Sequence, residues 1–276
     1  MDWNNIKTIF IFTFLILNIY LGIEVYEKVN PGFDELQNNT QSAKRLDEIQ
    51  YDKKPPVVKE QLALVKGKSK VFTEKEINAQ FQKENSNQEV KVTSGTIINA
   101  TLKDPYDDLS HKSEDELKGQ LQIFLEEYVP MSEDYQYWKH DKDRGLYIFR
   151  QEHKEVPIYF NEYITEENLT GLIEIATNEK GEITSYRQTY MTLEDQGDKQ
   201  KLIKAKAALL VTNIPPGTKV KNIELVYFTL ITDEEQFQVK VFVPSWHIVT
   251  EEEEFIVDAT NSTVINLEPT EESEVE

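Results

Sequence analysis

The chain has 276 residues, with 30 Lys and Arg against 50 Asp and Glu, giving a formal charge of −20, and it contains no cysteine. So acidic a chain lacks the basic footprint by which proteins gain affinity for nucleic acid, anionic headgroups or wall polyanions. The absent thiols exclude disulfides, thiolate zinc sites, cysteine nucleophiles and a lipid-modified N-terminal cysteine, while 39 % hydrophobic and 11 % aromatic residues still suffice for a folded core.

The first thirty residues differ from all that follow. Between Lys7 and Glu24 runs the uncharged stretch TIFIFTFLILNIYLGI, about 24 Å long as a helix. That is a little short of the roughly 30 Å hydrocarbon core, but Lys7 and Glu24 reach the interfaces and Trp3, Tyr20 and Tyr26 supply interface-seeking rings. Residues 8–26 therefore read as a transmembrane helix behind a cytoplasmic tail, residues 1–7. A cleaved signal peptide needs a basic n-region and a small-x-small cleavage site, and the stretch continues through Ile23, Glu24, Val25, Tyr26 and Glu27 with nothing resembling Ala-x-Ala. A buried core helix would be amphipathic, and this one is apolar nearly all round. Positive charges near the span do not decide its orientation. The short tail favours retention inside, with the long acidic remainder exported.

On a helical wheel Trp3, Lys7, Phe10, Phe14, Asn18 and Leu21 fall on one stripe. Asn18 sits near mid-membrane, where a carboxamide is costly unless it is hydrogen-bonded. Two readings stand: it meets a partner helix, or it bonds its own backbone one turn back.

Residues 27–56 are polar, with Pro-Gly near one end and Pro-Pro at the other, and read as a linker. Two exported α+β units follow, residues 57–196 and 197–268, then an acidic tail, residues 269–276. In the first, Ser113 and Glu116 form a capping box, and Leu117, Leu121, Phe124, Leu125 and Tyr128 repeat at helical spacing until Pro130. In the second, a helix is expected from near Asp198, burying Leu202, Ile203, Ala207, Leu210 and Ile214 and ending at Pro215-Pro216-Gly217. After each helix the period becomes two. Strands are expected at 135–138, 146–151, 156–160, 172–176 and 184–190, and then at 220–231, 237–243, 245–250, 255–258 and 264–267. Each unit is thus a helix followed by a meander, and both end on Ala-Thr-Asn before a turn, at Ala176 and at Ala259. This is either an internal repeat or a chance recurrence of turn-favouring residues. Helices segregated from antiparallel sheets make the class α+β.

Catalytic chemistry is hard to find. Asp141, Asp143 and Glu152 imitate a calcium loop, but its glycine stands at the fifth position instead of the sixth and the flanks are strand-like, so a hairpin turn is the better reading. Gly67-Lys68-Ser69 lacks the glycine that should open a phosphate loop. His111, His140, His153 and His247 show no ligand spacing and default to lone surface or hairpin residues. The acid runs 233–235, 251–254 and 268–276 read as solvated charge. Asn-x-Thr at Asn38, Asn99, Asn168 and Asn261 matters only in a glycosylating pathway.

The start Asp2-Trp3-Asn4-Asn5-Ile6-Lys7-Thr8-Ile9-Phe10-Ile11-Phe12, continuing to Phe14, Asn18 and Leu21, resembles that of the YycI (WalI) family. The likeness continues through Gly95-Thr96-Ile97-Ile98-Asn99-Ala100, Ser185-Tyr186-Arg187-Gln188 with Met191, and Trp246 followed by Phe255-Ile256-Val257-Asp258-Ala259-Thr260-Asn261. The resemblance implies a single-pass membrane protein of Firmicutes with a cytoplasmic N-terminus and an exported part like those of YycI and YycH. It further implies action with a YycH companion on the sensor histidine kinase WalK (YycG) of an essential two-component system governing cell-wall metabolism. No cofactor, metal or catalytic residue is implied, and Trp3, Lys7, Phe10, Phe14, Asn18 and Leu21 become the candidate helix contacts. The alternatives are an extracytoplasmic binding module for a lipid, peptide or wall fragment and, last, a carboxylate hydrolase for which no acid–base pair can be named.

Overall fold

The computed structural model describes residues 3–29, 46–58, 61–73, 75–76, 87–110, 112–159, 171–229, 239–265 and 267. The first element is helix α1 (Trp3–Val29). Strands β1 (Gln50–Tyr51), β2 (Gln61–Ser69), β3 (Gln88–Thr93) and β4 (Ile97–Asp108) precede helix α2 (Glu114–Tyr128). Then come β5 (Tyr135–Asp141), β6 (Leu146–His153), β7 (Val156–Pro157), β8 (Leu172–Thr177), β9 (Glu182–Thr189) and β10 (Met191–Lys201). Helix α3 (Ala205–Val211) leads into β11 (Lys219–Phe228), β12 (Val239–Thr250), β13 (Glu254–Asp258) and β14 (Val264–Ile265). The class is α+β, with sheets predominating. The chain divides into two compact units, one of residues 63–199 and 225–244, the other of residues 1–62, 200–224 and 245–276.

In the unit built mainly from residues 63–199, the order β3-β4-β9-β8-β6-β5 makes an antiparallel sheet, with β7 added to β6. Helix α2 covers one face. Its start is fixed as the sequence requires: the Ser113 side chain accepts from the Glu116 backbone while Glu116 accepts from the Ser113 N–H at 2.9 Å. Leu121, Phe124 and Leu125 are fully buried against Ile98 and Ala100 of β4, Ile183 and Tyr186 of β9, Ile173 and Ile175 of β8, and Phe149 of β6. The Phe124 ring stacks on Tyr128 at 4.9 Å and meets Tyr106 and Tyr186 at 5.3 and 6.1 Å. The far end of the helix, whose last carbonyls have no intrahelical donor, is satisfied by the sheet: Tyr186 Oη donates to the Tyr128 carbonyl at 2.8 Å. Beyond the helix, Gln188 Nε2 donates to the Pro130 carbonyl at 2.7 Å. The loop that imitated a calcium site is the β5–β6 hairpin turn, where Asp141 Oδ1 accepts from the Arg144 N–H and Gly145 adopts φ +64°.

The same unit holds the residue 63–69 part of β2, paired antiparallel with residues 239–242 of β12, and β10, which also pairs with β2. Gly67 is required here, because a Cβ at this position would lie 2.7 Å from the Phe242 ring. That explains a glycine that has no phosphate loop around it.

In the other unit the sheet order is β1-β11-β12-β13-β14. Gln50 and Tyr51, at the end of the segment read as a linker, pair in parallel with Lys219 and Val220. The helix expected from Asp198 is corrected: residues 198–201 end strand β10, and α3 begins only at Ala205. The reason is tertiary. Ile203 donates its N–H to the Ala259 carbonyl and accepts the Trp246 indole N–H at 2.9 Å, so its backbone is committed before a helix could claim it. Its buried residues are Ala205, Ala207, Ala208 and Leu209, while Leu202 and Ile203 are buried in extended chain. The two strands expected on either side of Pro244 are one. The β2 ladder ends at Phe242 and the β13 ladder begins at Ser245, so the proline, with no N–H to offer, lies between these two ladders.

The Ala-Thr-Asn segments share one turn contact: Asn178 accepts from the Lys180 N–H and Asn261 from the Thr263 N–H, each two residues on. Asn178 also accepts from Glu182, and in the second segment Asp258 also accepts from Thr260.

Two substitutions test this core. Phe124→Ala is expected to lower unfolding free energy by about 3–5 kcal/mol and Ser113→Ala by about 1 kcal/mol, both read from urea unfolding followed by circular dichroism. A Phe124→Ala cost below that of the Ser113→Ala cap would show that α2 does not close the core.

Candidate functional site

Two features rise above the scaffold. The first is α1, whose 27 residues carry all six stripe residues. Side chains are described for Lys7 and residues 10–22, and every one is exposed, among them Phe10 at 74 %, Phe14 at 60 % and Leu21 at 46 %. Asn18 is on the same exposed helix, and the Trp3 side chain lies outside the described residues. Among the described residues no helix is long and apolar enough to cross a membrane; residues 10–22 alone make about 20 Å of helix.

The second feature is a histidine that sequence pattern left as a lone residue. His247 sits in the middle of β12, only 5 % exposed. Its Nδ1 faces Glu224 Oε1 of β11 at 3.2 Å and its Nε2 faces Glu254 Oε2 of β13 at 3.3 Å. The β12–β13 turn sets Glu254 in place: Thr250 Oγ1 accepts from the Glu253 N–H at 2.9 Å and donates to its carbonyl at 2.8 Å. Burial alone would lower the imidazolium pKa, but hydrogen bonds to Glu224 and then Glu254, with their charges, outweigh it, and the net direction is up. No short sequence spacing announces this cluster, since Glu224 lies 23 residues away and only sheet order brings it in.

The remaining described histidines are structural. His140 stacks on Tyr147 at 4.0 Å, and burial followed by Lys142 depresses its pKa. His153 Nε2 meets Asp195 Oδ1 at 2.8 Å, and Lys154 binds the other oxygen of the same carboxylate. His111 lies outside the described residues. Among the described residues no three His, Asp or Glu side chains are arranged to hold a metal ion. Around His247 the two carboxylates address opposite ring nitrogens, so they cannot share a cation with it.

Hydrogen bonds from Lys154 and then His153 hold the Asp195 carboxyl below the usual carboxylate range. A depressed carboxylate pKa contributes stability above the unfolded value of about 3.9 and loses it as pH falls through the folded value. Asp195→Asn is therefore expected to destabilise at pH 7 by less than about 1 kcal/mol, because the pair is partly solvated. The difference from wild type should shrink in urea titrations at pH 3; an undiminished difference there would mean that packing rather than charge is lost.

The family model described as YycI protein matches residues 31–266. No protein with a curated description matches. Among solved structures, an uncharacterized protein from Eubacterium rectale is similar over 80 % of this chain and 92 % of its own, with 12 % identity and a TM-score of 0.47. At that score no conclusion follows from the likeness.

Proposed function

The chain belongs to the YycI family, and from that premise we propose that it is anchored in the membrane by residues 8–26 and acts there on a sensor histidine kinase. Family membership itself implies regulation of the WalK (YycG) two-component system by a regulatory protein that is not an enzyme. The finer reading is that α1 packs against a membrane helix of the kinase, alongside a YycH-like companion, with the tail of residues 1–7 in the cytoplasm and the sheets outside.

The observation that carries the anchor is the run of ten large apolar side chains between Phe10 and Leu21 that stand exposed on α1. The family match begins at residue 31, beyond α1, so the anchor is argued from its own residues. On the stripe of Trp3, Lys7, Phe10, Phe14, Asn18 and Leu21, Asn18 is the one polar group within the apolar stretch. In hydrocarbon its amide gains most from a partner on a neighbouring helix. Such a contact changes kinase output only where it differs between two packings of the kinase helices, which lets the anchor bias the kinase between signalling states.

Asn18→Leu is expected to weaken association with the kinase or its companion in a bacterial two-hybrid assay by about 3- to 30-fold, the worth of one interhelical hydrogen bond of roughly 0.6–2 kcal/mol. Unchanged association removes Asn18 from the contact. Kinase autophosphorylation in proteoliposomes should also differ with and without this protein; equal rates would contradict direct regulation.

A further inference from the structure

A neutral imidazole carries one N–H and one lone pair, so it can donate to only one of two carboxylates. At His247 both ring nitrogens face carboxylate oxygens, at 3.2 and 3.3 Å. With both glutamates ionised, the arrangement is satisfied only by the imidazolium. Deprotonation would leave one ring lone pair against a carboxylate oxygen, two acceptors facing each other at a residue only 5 % exposed.

We propose that His247 is a proton-operated latch of this sheet: as an imidazolium it ties Glu224 of β11 to Glu254 of β13 across β12, and on losing its proton it releases one of them. The released partner is Glu254, whose side chain is 51 % exposed against 24 % for Glu224 and which can turn to water. Its release frees the start of β13, where Glu254 pairs with Val249 and Ile256 pairs with His247.

The surrounding charges favour this direction of switching. On β13, Asp258 shares the face of Glu254 and Ile256 by strand alternation, but its carboxylate is held by the Thr260 N–H at 2.7 Å and hydroxyl at 2.6 Å. On β12 the residues two before and two after, Ser245 and Val249, carry no charge, and neither does Ile265 of β14, which pairs with Ile256. On β1, Tyr51 pairs with Val220 of β11, and burial and then Asp47 raise its pKa, which keeps the phenol neutral through the relevant range. Glu251, Glu252 and Glu253 of the turn are exposed, and Glu251 acts on the Lys219 ammonium of β11. The two groups that reach the ring nitrogens are both carboxylates, which favours the imidazolium.

The sign follows from linkage. A histidine whose folded pKa is raised contributes stability in full below the unfolded value of about 6.5 and loses it as pH rises through the folded value. The latch is closed in mildly acidic surroundings and opens toward alkaline pH. Trp246 is its built-in reporter, because the neighbouring residue on β12 is fully buried with its indole N–H on the Ile203 carbonyl. This inference stands apart from the regulatory reading, since it concerns the protein's own protonation and needs no kinase.

The test is a pH titration of the full-length protein in detergent micelles, following the imidazole Cε1–H and indole N–H signals by NMR. The His247 signal is the one lost in His247→Gln. Its midpoint is expected above 6.5, with the Trp246 indole signal moving at the same midpoint and the melting temperature falling across that window in wild type only. Glu254→Gln, altered at the more exposed partner, is expected to lower the midpoint while the fold is kept, and it serves as the second arm should His247→Gln fail to fold. A midpoint at or below 6.5, one that does not respond to Glu254→Gln, or a Trp246 signal indifferent to the titration overturns the latch.

Discussion

The account depends on the apolar surface of α1. Ten large side chains between Phe10 and Leu21 are each 46–74 % exposed. At the usual worth of burying such groups, removing them from water stabilises by on the order of 10 kcal/mol. That is comparable with the whole folding stability of an ordinary domain. A helix with that much to gain from leaving water is drawn to lipid, to another helix, or to both, and the single amide of Asn18 adds a preference for a neighbour that can hydrogen-bond. The regulatory reading follows from this constraint together with family membership, which speaks for residues 31–266.

The helix-and-sheet core was legible where local chemistry and periodicity agreed. Ser113 with Glu116, the helical spacing from Leu117 to Tyr128 and the stop at Pro130 predict α2 to the residue, because capping, amphipathicity and proline all act within one helix. The alternation after it finds β5, β6, β8 and β9. What locks α2 to that sheet was not legible. Tyr186 and Gln188 read as ordinary strand residues, yet their side chains reach the carbonyls of Tyr128 and Pro130, 58 positions away.

Elsewhere distant partners overruled local pattern. Asp198–Lys201 has helix-forming residues but extends β10, and Ile203 is claimed by Trp246 and Ala259 before α3 begins. Pro244 looks like a strand break and instead marks where one ladder on β12 ends and another starts. Strands β2, β3 and β4 fall outside the strands expected from the alternation, although β3 alternates half-buried and exposed residues along its length. His247 is the clearest case. A lone histidine in a strand says nothing of its neighbours, and only the order β11-β12-β13 sets a carboxylate against each ring nitrogen. Acidic residues that read as solvated charge thus include one, Glu254, half-exposed, whose carboxylate meets the buried His247 ring.

The most direct measurement is made on membranes from cells that produce the protein, stripped with alkaline carbonate and then analysed by intact mass. The account predicts a chain that stays in the pellet until detergent is added and that retains Trp3 through Tyr26. A product beginning beyond Tyr26, or one released by carbonate alone, would contradict it.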